Sequence, residues 1–147
     1  MVDIKSEEHT EYPKIILHID DDLDDRYLVR KALNNIDPSI VLREAQDGKK
    51  AIDFLQQAKL FGDLPCLIIL DINMPVMDGY DTFREIKKDD VLSTIPIVIF
   101  TTSRDSKELN YWRDNNIEIV SKPASFDEFT MSVKSILGYF SPIKKSK

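Results

Sequence analysis

The chain alternates between short unbroken apolar runs and longer stretches in which apolar residues recur every three or four positions. CLIILD (66–71) and PIVIFT (96–101) are apolar up to a polar last residue, and KIILHID (14–20) is apolar over Ile15–Leu17 and Ile19 before it ends in Asp20. A central parallel strand reads this way because neither of its faces meets water. SIVLREA (39–45) alternates instead and runs into the turn signal Asp47-Gly48, and 117–121 reads as a short last strand. The helical period predicts helices over 23–34, 49–60, 81–88, 106–115 and 125–139, with a loop over 74–79. In the first helix the inward stripe is read as Leu23, Tyr27, Leu28 or Val29, Ala32 and Leu33. In the second it is Ala51, Ile52, Phe54, Leu55 and Ala58. Ser125, with Glu128 three residues on, forms a capping box for the last helix.

Five strands alternating with five helices predict an α/β fold: a right-handed, doubly wound, five-stranded parallel sheet with helices on both faces. One domain is expected over 13–140, between a flexible N-terminal tail (1–12) and a basic C-terminal tail (141–147). The 147 residues suffice for a substantial core. A net charge of −6 disfavours generic binding to nucleic acid or to an anionic membrane. The single cysteine, Cys66, excludes a disulfide framework and a cysteine zinc cluster. No apolar run approaches the ~20 residues that span a bilayer, so the expected location is the cytoplasm.

In a sheet of this kind, ligands bind beyond the carboxyl ends of the strands. Those ends carry Asp20-Asp21, Asp71, Thr101-Thr102 and Ser121-Lys122-Pro123. Carboxylates gathered there repel one another, by on the order of 4 kcal/mol for two charges ~4 Å apart at an effective dielectric near 20. They need a cation, and oxygen-only donors favour a hard one such as Mg²⁺. Lys122 is the basic residue at these ends, a mobile point charge suited to a carboxylate or a phosphate. Carboxylate, metal, amine and hydroxyl together suit phosphoryl transfer to an aspartate. The remaining acids of DDDLDD (20–25) have another use: Asp22 is read as the N-cap of the first helix, with Asp24 and Asp25 in its first turn.

Taken together, Asp20-Asp21 after the first strand, LDINMPVMDG (70–79), FTTS (100–103) and SKP (121–123) resemble the receiver domain of two-component response regulators. The resemblance runs from about Tyr12 to Phe140. It implies a flavodoxin-like (βα)5 fold with strand order 2-1-3-4-5. It also implies that Asp71 accepts a phosphoryl group, with Asp21 a direct ligand of Mg²⁺ and Asp20 acting mainly through metal-bound water. Asn73 would offer a backbone carbonyl to the metal, Thr101 would hydrogen-bond a phosphoryl oxygen, and Lys122 would pair with it.

The implied donor is a sensor histidine kinase, and the output would be contact with an unknown downstream protein or onward phosphorelay, from a monomer or a homodimer. Such a domain catalyses its own phosphorylation and slow hydrolysis rather than turnover of a small substrate. FTTS, SKP and the extended LQQAKLFGDLPC segment are similar to stand-alone regulators paired with bacterial phytochrome-type kinases. The sequence departs from the family at Ile119, where an aromatic switch residue is common, and at Thr102, bulkier than the usual Ala or Gly. The family commonly holds the bond before Pro123 cis.

Other readings fit less well. A calcium loop starting at Asp20 would need Gly and Glu where Asp25 and Lys31 stand. A phosphatase of the haloacid dehalogenase type would need Asp at Asn73. The alternative from another class is a pseudo-receiver, an interaction module that never carries phosphate. His18 reads as a core or edge filler, Cys66 as the inert start of a buried strand, and Met74 and Met77 as packing for the loop. At least one of Tyr111 and Trp112 is expected to pack inward, and with Tyr139 and Phe140 they offer an apolar patch.

Overall fold

The computed structural model describes residues 15–140. Both predicted tails, 1–12 and 141–147, lie outside them. The strands are β1 (Ile15–Ile19), β2 (Val41–Ala45), β3 (Leu67–Leu70), β4 (Ile97–Thr101) and β5 (Glu118–Ser121). The helices are α1 (Leu23–Ile36), α2 (Gly48–Phe61), α3 (Gly79–Lys88), α4 (Ser106–Asp114) and α5 (Phe126–Phe140), with a short 3₁₀ turn, Leu92–Thr94, before β4. All pairings are parallel, in the order β2-β1-β3-β4-β5. This is the flavodoxin-like doubly wound sheet, and the strand order reverses between β1 and β3.

Each face of the sheet has its own core. Leu17, Ile19, Ile68, Leu70, Ile97 and Ile99 point to one face and pack with Ala51 and Leu55 of α2, Phe83 and Ile86 of α3, and Trp112 of α4. Ile16, Leu67, Ile69, Val98 and Phe100 point to the other, against Val29, Ala32 and Leu33 of α1 and Phe129, Val133, Ile136 and Leu137 of α5. The side-chain period of two thus sorts each continuous apolar run onto both layers. No helix among the described residues is long and apolar enough to cross a membrane.

The helix starts follow local chemistry. Asp22 caps α1, accepting from the N–H groups of Asp24 and Asp25, while Asp47, Asp78 and Asp105 cap α2, α3 and α4 in the same way. The Ser125 hydroxyl accepts from the Glu128 N–H at 3.2 Å. A carboxylate here satisfies otherwise unpaired N–H groups and complements the positive end of the helix dipole.

Several expectations are corrected. Leu23 and Tyr27 are exposed, because the buried stripe of α1 is phased on Val29, Ala32 and Leu33. Cys66 is exposed, since β3 begins one residue later, at Leu67. α3 begins at Gly79, two residues before the predicted start, because Asp78 rather than a later residue is the cap. The Lys122–Pro123 bond is trans, as are all the described peptide bonds, and trans is the form an X–Pro bond favours by ~0.5–1 kcal/mol. The expectation that one of the aromatic pair on α4 packs inward holds: Trp112 is fully buried, stacked on Tyr80 and edge-on to Phe83.

Candidate functional site

The strand register brings the predicted acids together. Ile19 is paired with Leu70, so Asp20 and Asp71 leave neighbouring strands side by side. Their backbones extend the ladder: the Asp71 N–H donates to Ile19 C=O and the Asp20 N–H to Ala45 C=O, each at 3.0 Å. Asp20, Asp21 and Asp71 each present a carboxylate oxygen within 4.8 Å of the others. Asp20 is fully buried, Asp71 nearly so, and Asp21 is exposed. Asn73 lies two residues beyond Asp71 on the exposed side of the following loop.

That loop is fixed at both ends. The Gly79 N–H donates to Ile72 C=O at 2.8 Å, and the Gly48 N–H donates to Met77 C=O at 3.3 Å. Neither glycine has room for a side chain: a Cβ at Gly79 would come within 2.5 Å of Asp71 O, and one at Gly48 within 2.0 Å of Thr82 Oγ1. Between these pins, the Met77 N–H bonds Pro75 C=O across Val76, whose φ is +68°. This is a γ-turn in its rarer, strained form.

Lys122 reaches into the acids from the end of β5. Its backbone N–H donates to Thr101 C=O at 2.8 Å, and its side chain is 5% exposed. The ammonium donates to Asp20 Oδ2 and to Asp25 Oδ2, each at 2.8 Å, and lies 3.6 Å from Asp71 Oδ1. Thr101 is buried, and its Oγ1 accepts from the Ser103 N–H at 3.1 Å. That bond leaves the hydroxyl's own proton to donate elsewhere. The Ser103 hydroxyl in turn bonds Glu108 of α4.

The two buried carboxylates are electrostatically unlike. Burial alone would raise both. For Asp20 the His18 imidazole and the Lys122 ammonium outweigh burial and bring the carboxyl down to about 2. For Asp71 burial prevails over the more distant Lys122, and the charges of Asp20 and Asp21 add to it, so the carboxyl is pushed up to about 7. Lys122 is held above the ordinary lysine range: burial works against its charge, but Asp20 and Asp71 prevail. An acid so raised, beside two more carboxylates, marks a place where further positive charge is favoured.

The family model for the response regulator receiver domain matches residues 16–134. The chain belongs to that family. As a receiver domain, it is 30% identical over 132 residues to the probable methanogenesis regulatory protein FilR2 of Methanothrix harundinacea, covering 88% of this chain and 85% of that protein. It is 37% identical over 101 residues to response regulator Rcp1 of Synechocystis, covering 66% of this receiver and 67% of Rcp1. The structure of the phosphorylated cyanobacterial phytochrome response regulator RcpA superposes with a TM-score of 0.80 at 28% identity, covering 88% of this chain and 98% of that one. The Mn(2+)-bound form of Rcp1 gives 0.76 at 29% identity, covering 88% and 96%. The receiver is therefore similar to response regulators that include one of a cyanobacterial phytochrome.

The structure adds residues to the site that the sequence placed elsewhere or did not single out. Asp25, read only as part of a helix start, bonds Lys122. Arg26 donates through Nη1 to Asp20 C=O at 2.8 Å and pairs with Glu44 of β2. His18 is indeed a core residue, but its Nε2 lies 3.5 Å from Asp20 Oδ2, and neither ring nitrogen has a hydrogen-bond partner among the described residues.

Proposed function

We propose that this receiver accepts a phosphoryl group on Asp71 from the phosphohistidine of a sensor histidine kinase, with Mg²⁺ as cofactor. The observation that carries the reading is the position of Asp71. Its buried carboxylate is raised to about 7 and faces two further carboxylates, with the Lys122 ammonium 3.6 Å away. The donor set fits Mg²⁺: the oxygens of Asp20, Asp21 and Asp71 cluster with no nitrogen or sulfur ligand among them, as a hard cation prefers. Asp21 and Asp71 would hold the ion directly, Asp20 through its water, and Asn73 through its backbone carbonyl. When bound, Mg²⁺ supplies charge neutralisation for the incoming phosphoryl oxygens.

The chain's own residues do the rest. An Asp71 carboxylate oxygen forms the new P–O bond as the donor's P–N bond breaks, and the electron pair leaves with the donor imidazole. Lys122 pairs with a phosphoryl oxygen, and the Thr101 hydroxyl donates its proton in a hydrogen bond to another. These new partners draw Thr101 and Lys122 inward and bias a pre-existing equilibrium between two conformations. Ile119, which stands where the family often has an aromatic ring, is paired with Ile99 on β4 and packs on the cluster that holds Trp112, so the change passes through an aliphatic side chain there. Output then follows by contact with a downstream protein or by onward phosphorelay, and slow hydrolysis resets the domain.

Acetyl phosphate is a convenient test donor, losing acetate as the P–O bond to Asp71 forms. With Mg²⁺ present, the intact protein should gain a phosphoryl mass increment that is stable in acid and lost in base. With EDTA the gain should fall by on the order of a hundredfold, the scale set by removing a metal that stabilises transferring charge. No increment, or an equal one in EDTA, contradicts the reading; a pseudo-receiver gives the first result.

A further inference from the structure

Lys122 stands nearer to two other carboxylates than to the aspartate it is to serve. Its ammonium bonds Asp20 Oδ2 and Asp25 Oδ2 at 2.8 Å each, but Asp71 Oδ1 only at 3.6 Å. Asp20 is tied elsewhere as well: its Oδ1 accepts from the Asp22 N–H, and its carbonyl accepts from Arg26. Among the described residues, the Asp25 carboxylate bonds Lys122 alone. That carboxylate projects from the first turn of α1 and is partly buried, while the Asp25 backbone N–H is satisfied by Asp22. The capping of α1 therefore needs only the backbone of Asp25, which leaves its side chain to Lys122.

We propose that Asp25 is a positioning residue that restrains Lys122 in the unphosphorylated receiver and so sets the threshold for phosphorylation of Asp71. This rests on the reading of Asp71 as the acceptor. To bond a phosphoryl group on Asp71, the ammonium must move from its seat between Asp20 and Asp25, now 3.6 Å from Asp71 Oδ1, and so lengthen at least one of its two 2.8 Å bonds. A charge-assisted hydrogen bond of that length is among the stronger ones, and its loss raises the barrier to, and lowers the yield of, the phosphorylated state. Asp25 holds the ammonium from the first turn of α1, outside the cluster of carboxylates that faces Asp71. A receiver lacking the Asp25 charge keeps Lys122 anchored by Asp20 alone and closer to Asp71.

The test compares Asp25→Asn with Asp24→Asn. Asp24 also lies in the first turn and its N–H also donates to Asp22, so its variant removes the same charge close by without touching Lys122. Two measurements are made on each. The first, in metal-free protein without phosphodonor, follows the Lys122 ammonium nitrogen and the Asp71 carboxyl carbon by NMR. Both signals should shift in Asp25→Asn and stay in place in Asp24→Asn. The second is the initial rate of phosphorylation by acetyl phosphate with Mg²⁺. It should rise on the order of tenfold in Asp25→Asn, or ~1.4 kcal/mol, and by less than about twofold in Asp24→Asn. Restoring the carboxylate in Asp25→Glu should bring the rate back towards wild type.

Unchanged Lys122 and Asp71 signals in Asp25→Asn overturn the proposal. So does a rate that is unchanged, lowered, or matched by Asp24→Asn. If wild type takes no phosphoryl group, the functional reading fails on its own. The NMR comparison, which uses neither metal nor donor, then still decides whether Asp25 holds Lys122 back.

Discussion

At the scale of single residues, Asp20 and Asp71 show how one neighbourhood gives two carboxylates opposite chemistry. Both are buried, but Asp20 has Lys122 at 2.8 Å and His18 at 3.5 Å, while Asp71 has the same lysine at 3.6 Å and two acids beside it. Burial acts on both, but His18 and the near ammonium overcome it at Asp20, while at Asp71 the farther ammonium does not and the neighbouring acids add to it. The consequence for stability follows from linkage. The Asp71 carboxyl rises from an ordinary 3.8 to about 7 in the folded protein, so the folded state holds its proton more tightly than the unfolded chain does. Its contribution therefore favours folding at low pH and is lost as pH rises from about 4 through 7. In EDTA, denaturant titrations of wild type should show this decline, and Asp71→Asn should abolish it. Above pH 7 the variant should be more stable than wild type, by at most about 4 kcal/mol at 1.36 kcal/mol per pH unit. A variant less stable than wild type at pH 8 would show that Asp71 is already neutralised without metal.

At the scale of elements, the loop between β3 and α3 is where local strain and function meet. Val76 sits at φ +68° in a γ-turn, a costly conformation for a β-branched residue, and its side chain is 82% exposed. Val76→Gly should raise the denaturant midpoint, a gain of roughly 0.5–1 kcal/mol after glycine's own entropic cost. Gly79→Ala should act the other way. Its Cβ would press on the backbone of Asp71 and Ile72 at 2.5 and 2.8 Å, lowering stability by about 1–3 kcal/mol and slowing phosphorylation. Equal stability of Gly79→Ala and wild type would contradict the close approach described here.

α1 shows what was legible in the sequence and what was not. Its cap at Asp22 could be read directly, since capping is a local matter of spacing. Its phase could not, because Leu23 and Tyr27 are apolar and sit at a helical spacing of their own. Counting back from Val29 by three and four instead gives Arg26 and Asp25, the two residues of the first turns that reach the site. The signal was present, but hydrophobicity hid it: on a stripe that runs from core to site, the last inward positions are charged.

At the scale of the molecule, the doubly wound sheet makes the site. Because the strand order reverses between β1 and β3, the helices after these strands cover opposite faces and leave an open edge where Asp20 and Asp71 emerge side by side. The alternation of strands and helices and the polar strand ends could be read from the chain, because each rests on local periodicity. The strand order came only with the family motifs, and the distances around Lys122 only with the structure. They join residues 97 and 102 positions apart, at Asp25 and Asp20.

The central claim is that this edge delivers a phosphoryl group to Asp71. Wild type and Asp71→Asn should be incubated side by side with acetyl phosphate and Mg²⁺, digested in acid and mapped by mass spectrometry. The account predicts a base-labile phosphoryl increment on the wild-type peptide carrying Asp71 and none anywhere in Asp71→Asn. An increment of equal size in Asp71→Asn, or one carried by another peptide of the wild type, would contradict it.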